Sequence, residues 1–171
     1  MIRRALILGG LVLVFGVVAV ETLRKEQVIA TGQVLLLELA PRDPRSLIQG
    51  DYMQLDYAIA RRTAHGDGWP RDGALVVSPD EAGVAQFRRR DGGEPLAQGE
   101  ARLTYRIRGG RLQVGTNAFH FQEGQAAAFS SARYGELRVA PDGTSLLVGL
   151  RDATFEPLPS TETASPGPPS P

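Results

Sequence analysis

Residues 101–114, ARLTYRIRGGRLQV, decide the fold class. Apolar side chains alternate with Arg or Thr along the first half, which is typical of a strand with one buried face. Gly109-Gly110 then separates this run from Arg111–Val114, and both glycines can take the positive φ values of a tight hairpin turn. The stretch therefore predicts a β-hairpin whose inward side chains are Ala101, Leu103, Tyr105 and Ile107.

Short apolar or alternating runs recur on both sides of this hairpin, with turn signals between them. Pro141-Asp142-Gly143 places proline and glycine where turns favour them. Glu123–Arg133, with three consecutive alanines, is the one internal helix that we predict. Such spacing favours a mostly β domain, either an antiparallel sheet or a small barrel, with one short helix. The predicted strands are Gln33–Ala40, Met53–Ile59, Ala74–Ser78, Gly83–Arg90, Phe119–Phe121, Leu137–Val139 and Ser145–Leu150.

The N-terminus carries a long uncharged segment. Ala5–Val20 contains no charged residue, follows Arg3 and Arg4, and ends at Glu21. As a helix it covers about 24 Å, close to what a bilayer crossing needs. Arginines before the segment favour a cytoplasmic N-terminus. We predict a transmembrane anchor over residues 1–23, with a cleaved signal peptide as the alternative. Both place the rest of the chain outside the cytoplasm.

The C-terminus reads EPLPSTETASPGPPSP and holds six of the twelve prolines. Such a segment cannot bury enough apolar surface to offset the entropy of ordering it. We therefore predict a disordered tail over residues 156–171, and an extracytoplasmic β-rich domain over residues 28–155.

The composition excludes several classes of function. Nineteen basic residues balance nineteen acidic ones, so the formal net charge is zero. The chain therefore lacks the positive charge that non-specific binding of nucleic acid requires. The absence of cysteine excludes thiol nucleophiles, iron–sulfur clusters and cysteine zinc sites. Lys25, the only lysine, lies next to the membrane segment, which argues against a serine–lysine dyad. We expect no cofactor.

One motif stands out at the start of the second predicted strand and in the residues just before it. Gly50-Asp51-Tyr52-x-x-Leu55-x-Tyr57 resembles the pattern that names the GDYXXLXY family of bacterial proteins. The resemblance covers about residues 31–152 and includes Asp43-Pro44-Arg45 and the Phe-x-Phe-x-Glu-Gly stretch at 119–124. Gln122 is a departure, because similar proteins usually carry proline there. The resemblance implies a bacterial, membrane-anchored protein that accompanies a multi-spanning membrane protein. It implies no activity, because the function of the family is unassigned.

The motif allows a structural and a functional interpretation. Gly50 permits a tight turn, and Asp51 can accept backbone N–H bonds in it. Leu55 and Tyr57 are two residues apart and so both face the core, whereas Tyr52 points the other way. In the functional interpretation, Arg45, Gly50, Asp51 and Tyr52 form a surface patch that docks a partner.

Catalytic and metal interpretations have little support. The chain has two histidines, His65 and His120, and His120 with Glu123 supplies only two ligands for a metal. Serines suited to a serine–histidine–carboxylate set lack the glycines of a nucleophile elbow; these serines are Ser46, Ser78 and Ser130. We predict no catalytic residue and no metal site. A hydrolase resembling a peptidase, or a ligand-binding sensor, stays the alternative to an accessory role.

Arginines are concentrated on the predicted hairpin and the strand before it. On a strand, Arg102, Arg106 and Arg108 project to one side. With Arg111 and Arg88–Arg90 they suggest a basic stripe that contacts anionic lipid or an acidic partner. The N-terminal segment, taken with the bacterial source that the resemblance implies, predicts a single-pass protein of the bacterial inner membrane, with its domain in the periplasm. Its predicted role is that of a non-catalytic accessory to a multi-spanning membrane protein, with no nucleic-acid partner.

Overall fold

The computed structural model describes residues 2–40, 48–49, 52–63, 68–121 and 126–159. The helices are α1 (Ile2–Thr31), α2 (Ala58–Arg62) and a 3₁₀ helix (Ala126–Phe129). The strands are β1 (Gln33–Glu38), β2 (Ile48–Gln49), β3 (Tyr52–Gln54), β4 (Asp72–Pro79), β5 (Ala85–Arg90), β6 (Ala101–Arg108), β7 (Arg111–Val114), β8 (Ala118–His120), β9 (Tyr134–Val139) and β10 (Ser145–Arg151).

The strands form three antiparallel sheets. Their orders are β1-β9-β10, β2-β3-β8 and β5-β4-β6-β7. Leu36 bridges to Val84 and so joins the first sheet to the third, while Leu39 bridges to Tyr57 of the motif. The prediction of a mostly β fold built from antiparallel sheets is therefore confirmed.

The hairpin at residues 101–114 forms as its sequence predicts. Gly109 and Gly110 have φ values of 57° and 71°, and Arg108 lies opposite Arg111 across the turn. Leu103 is fully buried, whereas Arg106, three residues further along the strand, is exposed. The Tyr105 ring packs so closely on β4 that a Cβ on Gly73 would lie within 2.7 Å of its hydroxyl oxygen. Only glycine fits at that position.

The motif strand is shorter than its alternation predicts. β3 ends at Gln54, and α2 begins at Ala58 after the extended residue Tyr57. The expectation of a strand continuing to Ile59 is therefore wrong. Ala58, Ile59 and Ala60 are all buried. Three consecutive buried residues suit a short helix packed between layers better than a strand, which alternates its faces.

The predicted helix over Glu123–Arg133 is replaced, within its described residues, by a four-residue 3₁₀ helix that ends at Phe129. The Phe129 ring explains where the turn stops. It is almost fully buried, and it packs against Phe119 and Phe121 with ring centroids 5.2 Å away in both cases. The burial of this side chain determines the local backbone conformation more strongly than the helix propensity of the three alanines does.

One hydrophobic core lies between the sheets. The core includes buried residues of all three sheets, such as Leu137 of β9, Met53 of β3 and Leu103 of β6, so no sheet stands apart from the rest. The chain past β10 also packs here, because the Leu158 amide donates to the Leu150 carbonyl over 2.9 Å. The most deeply buried side chains are Leu35, Leu37, Leu75, Val76, Val77, Leu103, Phe129 and Leu137.

α1 runs without a break to the first strand and is joined to it by Gly32. The Gly32 amide donates to the Val28 carbonyl over 2.8 Å, and the Arg138 guanidinium donates to the Gly32 carbonyl over 3.3 Å. A Cβ on Gly32 would lie 3.1 Å from the Val139 amide nitrogen. The helix end is therefore pressed against β9. Among the residues that the structure describes, no helix has the length and apolarity that a membrane crossing requires.

Candidate functional site

The predicted docking patch falls mostly on residues that the structure does not describe. Arg45, Gly50 and Asp51 lie outside the described ranges. Tyr52 lies on β3, where its side chain is exposed. Its ring faces His120 on the neighbouring strand β8, with ring centroids 5.9 Å apart. An exposed aromatic pair on the β2-β3-β8 sheet is thus the described part of the patch, and the patch itself stays a prediction.

The other half of the motif holds three elements together. Leu55 and Tyr57 are buried, at 5% and 3% exposure. The Leu55 amide donates to the Asn117 carbonyl over 2.8 Å, and the Asp56 carbonyl accepts from the Ala40 amide over 2.7 Å. The motif therefore connects β3 to the residues before β8 and to the end of β1.

The Tyr57 side chain has a feature that the sequence did not reveal. Its hydroxyl is buried, and it has no hydrogen-bond partner within the described part of the chain. Burial raises the pKa of this phenol, because the anion would be poorly solvated. Two glycines leave room for the ring: a Cβ on Gly135 would lie 3.1 Å from the Tyr57 Cε1 atom, and one on Gly115 would lie 4.0 Å from its oxygen. Tyr57 thus contributes to the structure by packing its ring in the core.

A small cavity lies beside the motif. It measures about 70 Å³ and is lined in part by Leu55, Tyr57, Arg111 and Asn117. Ligand pockets are typically about 300–1,000 Å³, so this cavity suits ordered water better than an organic ligand.

The structure describes only some of the residues considered for catalysis. Ser46, His65 and Glu123 lie outside the described ranges. Ser78 is held by Arg88, whose Nε and Nη2 atoms donate to its hydroxyl oxygen over 3.1 and 3.0 Å. No group of three acidic or histidine side chains suited to a metal occurs in the described ranges.

Three of the seven arginines of the predicted basic stripe are paired with carboxylates. Arg89 bonds Glu100 at 2.6 Å, Arg102 bonds Asp91 at 2.8 Å, and Arg106 bonds Asp72 at 2.6 Å. The hydrogen bond from Arg89 lowers the pKa of Glu100, because it stabilises the charged carboxylate. Glu100 and Asp91 come from the chain between β5 and β6, and Asp72 begins β4. The alternation of residues within one strand cannot predict such pairs between separate elements. Arg108 and Arg111 make no ion pair with a described residue, so free positive charge concentrates at the tip of the hairpin.

α1 carries the largest apolar surface of the described chain. Its described bulky side chains from Ile7 to Leu23 are each 49–71% exposed. Five of them are consecutive, from Leu11 to Phe15. Since successive residues turn by about 100° around a helix, five consecutive exposed residues show that no face is covered. The hydroxyl of Thr22 is satisfied inside the helix, because it donates to the Val18 carbonyl over 2.9 Å.

Comparison with known proteins identifies the family but gives no activity. A family model described as GDYXXLXY protein matches residues 14–150, more than half of the chain. The match begins within α1 and ends in β10, so it includes the motif and nearly all of the β domain. The comparisons with curated proteins and with solved structures gave no match. The chain belongs to the GDYXXLXY family.

Proposed function

We propose that this protein is a single-pass accessory protein of a bacterial inner membrane. In this proposal α1 lies in the bilayer, and the β domain stands in the periplasm and docks on a multi-spanning membrane protein. One observation carries the membrane part of the proposal: the bulky apolar side chains of α1 are exposed on all sides. A soluble helix usually hides one apolar stripe and exposes a polar face, and α1 does neither between Ile7 and Val20.

The length of the apolar run supports the same placement. The sequence extends the described run back to Ala5, and Glu21 is its only charged residue before Arg24. From Ala5 to Leu23 the helix covers about 28 Å, against a hydrocarbon core of about 30 Å. Transfer of each Leu, Val or Phe side chain from water to an apolar environment is favourable by about 1.5–3 kcal/mol. Insertion of α1 into a bilayer would therefore stabilise the exposed helix.

The orientation and the retention of the helix follow from its two ends. Arg3 and Arg4 precede the run, and basic residues favour the cytoplasmic side. At the other end Val28 is half-buried, and the Gly32 carbonyl accepts from Arg138 of β9. Because the end of the helix packs on the domain, the structure favours an anchor that stays attached over a cleaved signal peptide.

The docking surface proposed for the partner is the patch that includes Tyr52. Tyrosine and arginine are enriched at the energetic centres of protein interfaces. Tyr52 is exposed beside His120, while Leu55 and Tyr57 of the same motif are buried. The motif thus combines a fold-stabilising half with an outward half.

The accessory role is tested by purifying the tagged full-length chain from its native membrane in mild detergent and identifying what accompanies it by mass spectrometry. We expect one multi-spanning protein in near-stoichiometric amount. Asp51→Ala should lose that protein while its unfolding transition stays that of the parent. Arg133→Ala, a change at the exposed residue just before β9, should retain it. Recovery of the parent chain alone from well-expressing membranes would count against an accessory role.

A further inference from the structure

A groove separates the last turns of α1 from the hairpin that joins β9 to β10. Its volume is about 610 Å³, within the range of about 300–1,000 Å³ that small-molecule sites occupy. The helix contributes the segment from Glu21 to Thr31, and the hairpin contributes residues on both sides of its turn. The residues that matter for its chemistry are Arg24, Lys25, Val28, Pro141, Asp142 and Leu146. We call it the headgroup groove.

The depth of the headgroup groove follows from the proposed membrane placement, on which this inference rests. The main run of exposed apolar side chains ends at Leu23, Arg24 and Lys25 come next, and Ile29 is exposed beyond them. Residues 24–31 extend the helix by about 12 Å beyond the hydrocarbon boundary. The hairpin turn lies across the groove from this segment, and Glu21 is the first helix residue that lines the groove. A groove in that position lies in the layer of phospholipid headgroups.

The charges in the groove fit a phosphate. Arg24 has one ion-pair contact, 3.5 Å from Glu21, and both side chains are more than half exposed. A pair of that length and exposure contributes little. Lys25 makes no ion pair with a described residue. Both cations therefore retain donors for an anion, and a phosphodiester oxygen accepts from Arg and Lys alike.

The two carboxylates in the groove do not oppose this fit. The Asp142 Oδ1 atom accepts from the Thr144 amide over 2.8 Å, so that carboxylate is used to close the hairpin turn. Glu21 lies on the membrane side of the groove, one helical turn before Arg24. The cations thus lie further from the hydrocarbon than Glu21.

The remaining lining is apolar. Val28 on the helix and Leu146 on β10 are half-buried, and Pro141 caps the hairpin. Cations beside an apolar floor are complementary to a molecule that joins a phosphate to a glycerol backbone and acyl chains. We propose that the headgroup groove binds a phospholipid, with the phosphate held by Arg24 and Lys25 and the glycerol region packed on Val28 and Leu146. The bound lipid then fixes the tilt of the β domain on its anchor.

The absence of cysteine makes a direct test practicable, since a single introduced cysteine carries one spin label. Thr144→Cys places the label in the groove, Ala82→Cys places it in the exposed turn between β4 and β5, and Val14→Cys places it in α1. The full-length chain is reconstituted in vesicles of phosphatidylcholine with phosphatidylglycerol, and separately in vesicles of digalactosyldiacylglycerol, which contains no phosphate.

The expected result is an immobilised Thr144 label in the phospholipid vesicles and a mobile one in the galactolipid vesicles. The Ala82 label should be mobile in both. An equally mobile Thr144 label in both vesicles would overturn the groove proposal, provided that acyl-chain quenchers reach the Val14 label. If the Val14 label is not reached, the membrane placement itself fails, so the two failures are distinguishable.

A charge-matched pair of variants assigns the effect to the two cations. Arg24→Gln with Lys25→Gln should abolish the immobilised component of the Thr144 label in phospholipid. Arg88→Gln with Arg133→Gln removes the same charge from β5 and from the residue just before β9, and should leave that component unchanged. Retention of the immobilised component in the first double variant would overturn the proposal. It would point instead to a protein partner or to packing within the chain.

Discussion

Replacing Leu13 and Val17 by arginine is expected to release the full-length chain from the membrane fraction. These side chains are 67% and 56% exposed, lie near the middle of the apolar run, and share one helix face because they are four residues apart. An arginine at the centre of a membrane helix costs about 2.5–3.5 kcal/mol, so the pair costs about 5–7 kcal/mol. The measurement is the fraction of the chain that stays in the pellet after membranes are washed in alkaline carbonate.

The matched control places two arginines on exposed valines of the β domain. Val34 on β1 and Val148 on β10 are 41% and 36% exposed. Val34→Arg with Val148→Arg adds the same charge, and this variant should remain in the pellet like the parent. A Leu13→Arg, Val17→Arg chain that pellets as fully as the control would mean that α1 is not what holds the protein to the membrane.

Tyr57→Ala is expected to destabilise the domain by about 3–5 kcal/mol, which is the usual cost of truncating a buried aromatic ring. Tyr57 is 3% exposed, and its ring fills the space left by Gly115 and Gly135. Tyr57→Phe keeps that ring and removes a hydroxyl that has no partner in the described part of the chain. Since an unsatisfied buried polar group costs about 1–3 kcal/mol, the Phe variant should be as stable as the parent or more stable.

Trp69, the only tryptophan, provides the signal for this comparison. It packs on Tyr105 with ring centroids 5.5 Å apart, so its fluorescence reports on the same core. The free energy of unfolding is measured by urea titration of the full-length chain in detergent. A Tyr57→Phe variant as unstable as Tyr57→Ala would show that the hydroxyl is bonded in the native protein. The exposed Tyr52→Ala serves as the control, with an expected change below about 1 kcal/mol.

The local parts of the fold could be predicted because their causes are local. Gly109-Gly110 allows positive φ at both turn positions, and alternation on either side sets the faces of β6 and β7. Pro141-Asp142-Gly143 behaves similarly, because Asp142 accepts from the Thr144 amide and Gly143 takes a φ of 87°. In both cases a few neighbouring residues determine the structure.

The features that were missed depend on residues distant in the sequence. Ala58 and Ile59 continue the alternating pattern of the predicted strand, but both are buried, as is Ala60, and the segment packs as a short helix. The helix expected near Phe129 is shortened because that ring is buried between Phe119 and Phe121. Tertiary packing overrides local propensity at both places.

The candidate sites show the same limit. The arginines appeared as a basic stripe because alternation reveals which side chains share a face. It cannot reveal the carboxylates that reach them, such as Asp91 for Arg102 and Asp72 for Arg106. The headgroup groove joins Arg24 and Lys25 to a hairpin more than a hundred residues later, a juxtaposition that no local pattern contains.

The most direct test of a membrane-held, periplasmic domain is labelling of single cysteines in spheroplasts with a membrane-impermeant maleimide. We expect Ala82→Cys, in the exposed turn of the β domain, to react at once. Val14→Cys, on the exposed apolar surface of α1, should react only after the membrane is dissolved and the chain is denatured. Equal reaction of both cysteines in intact spheroplasts, or reaction of Ala82→Cys only after lysis, would contradict the proposed placement.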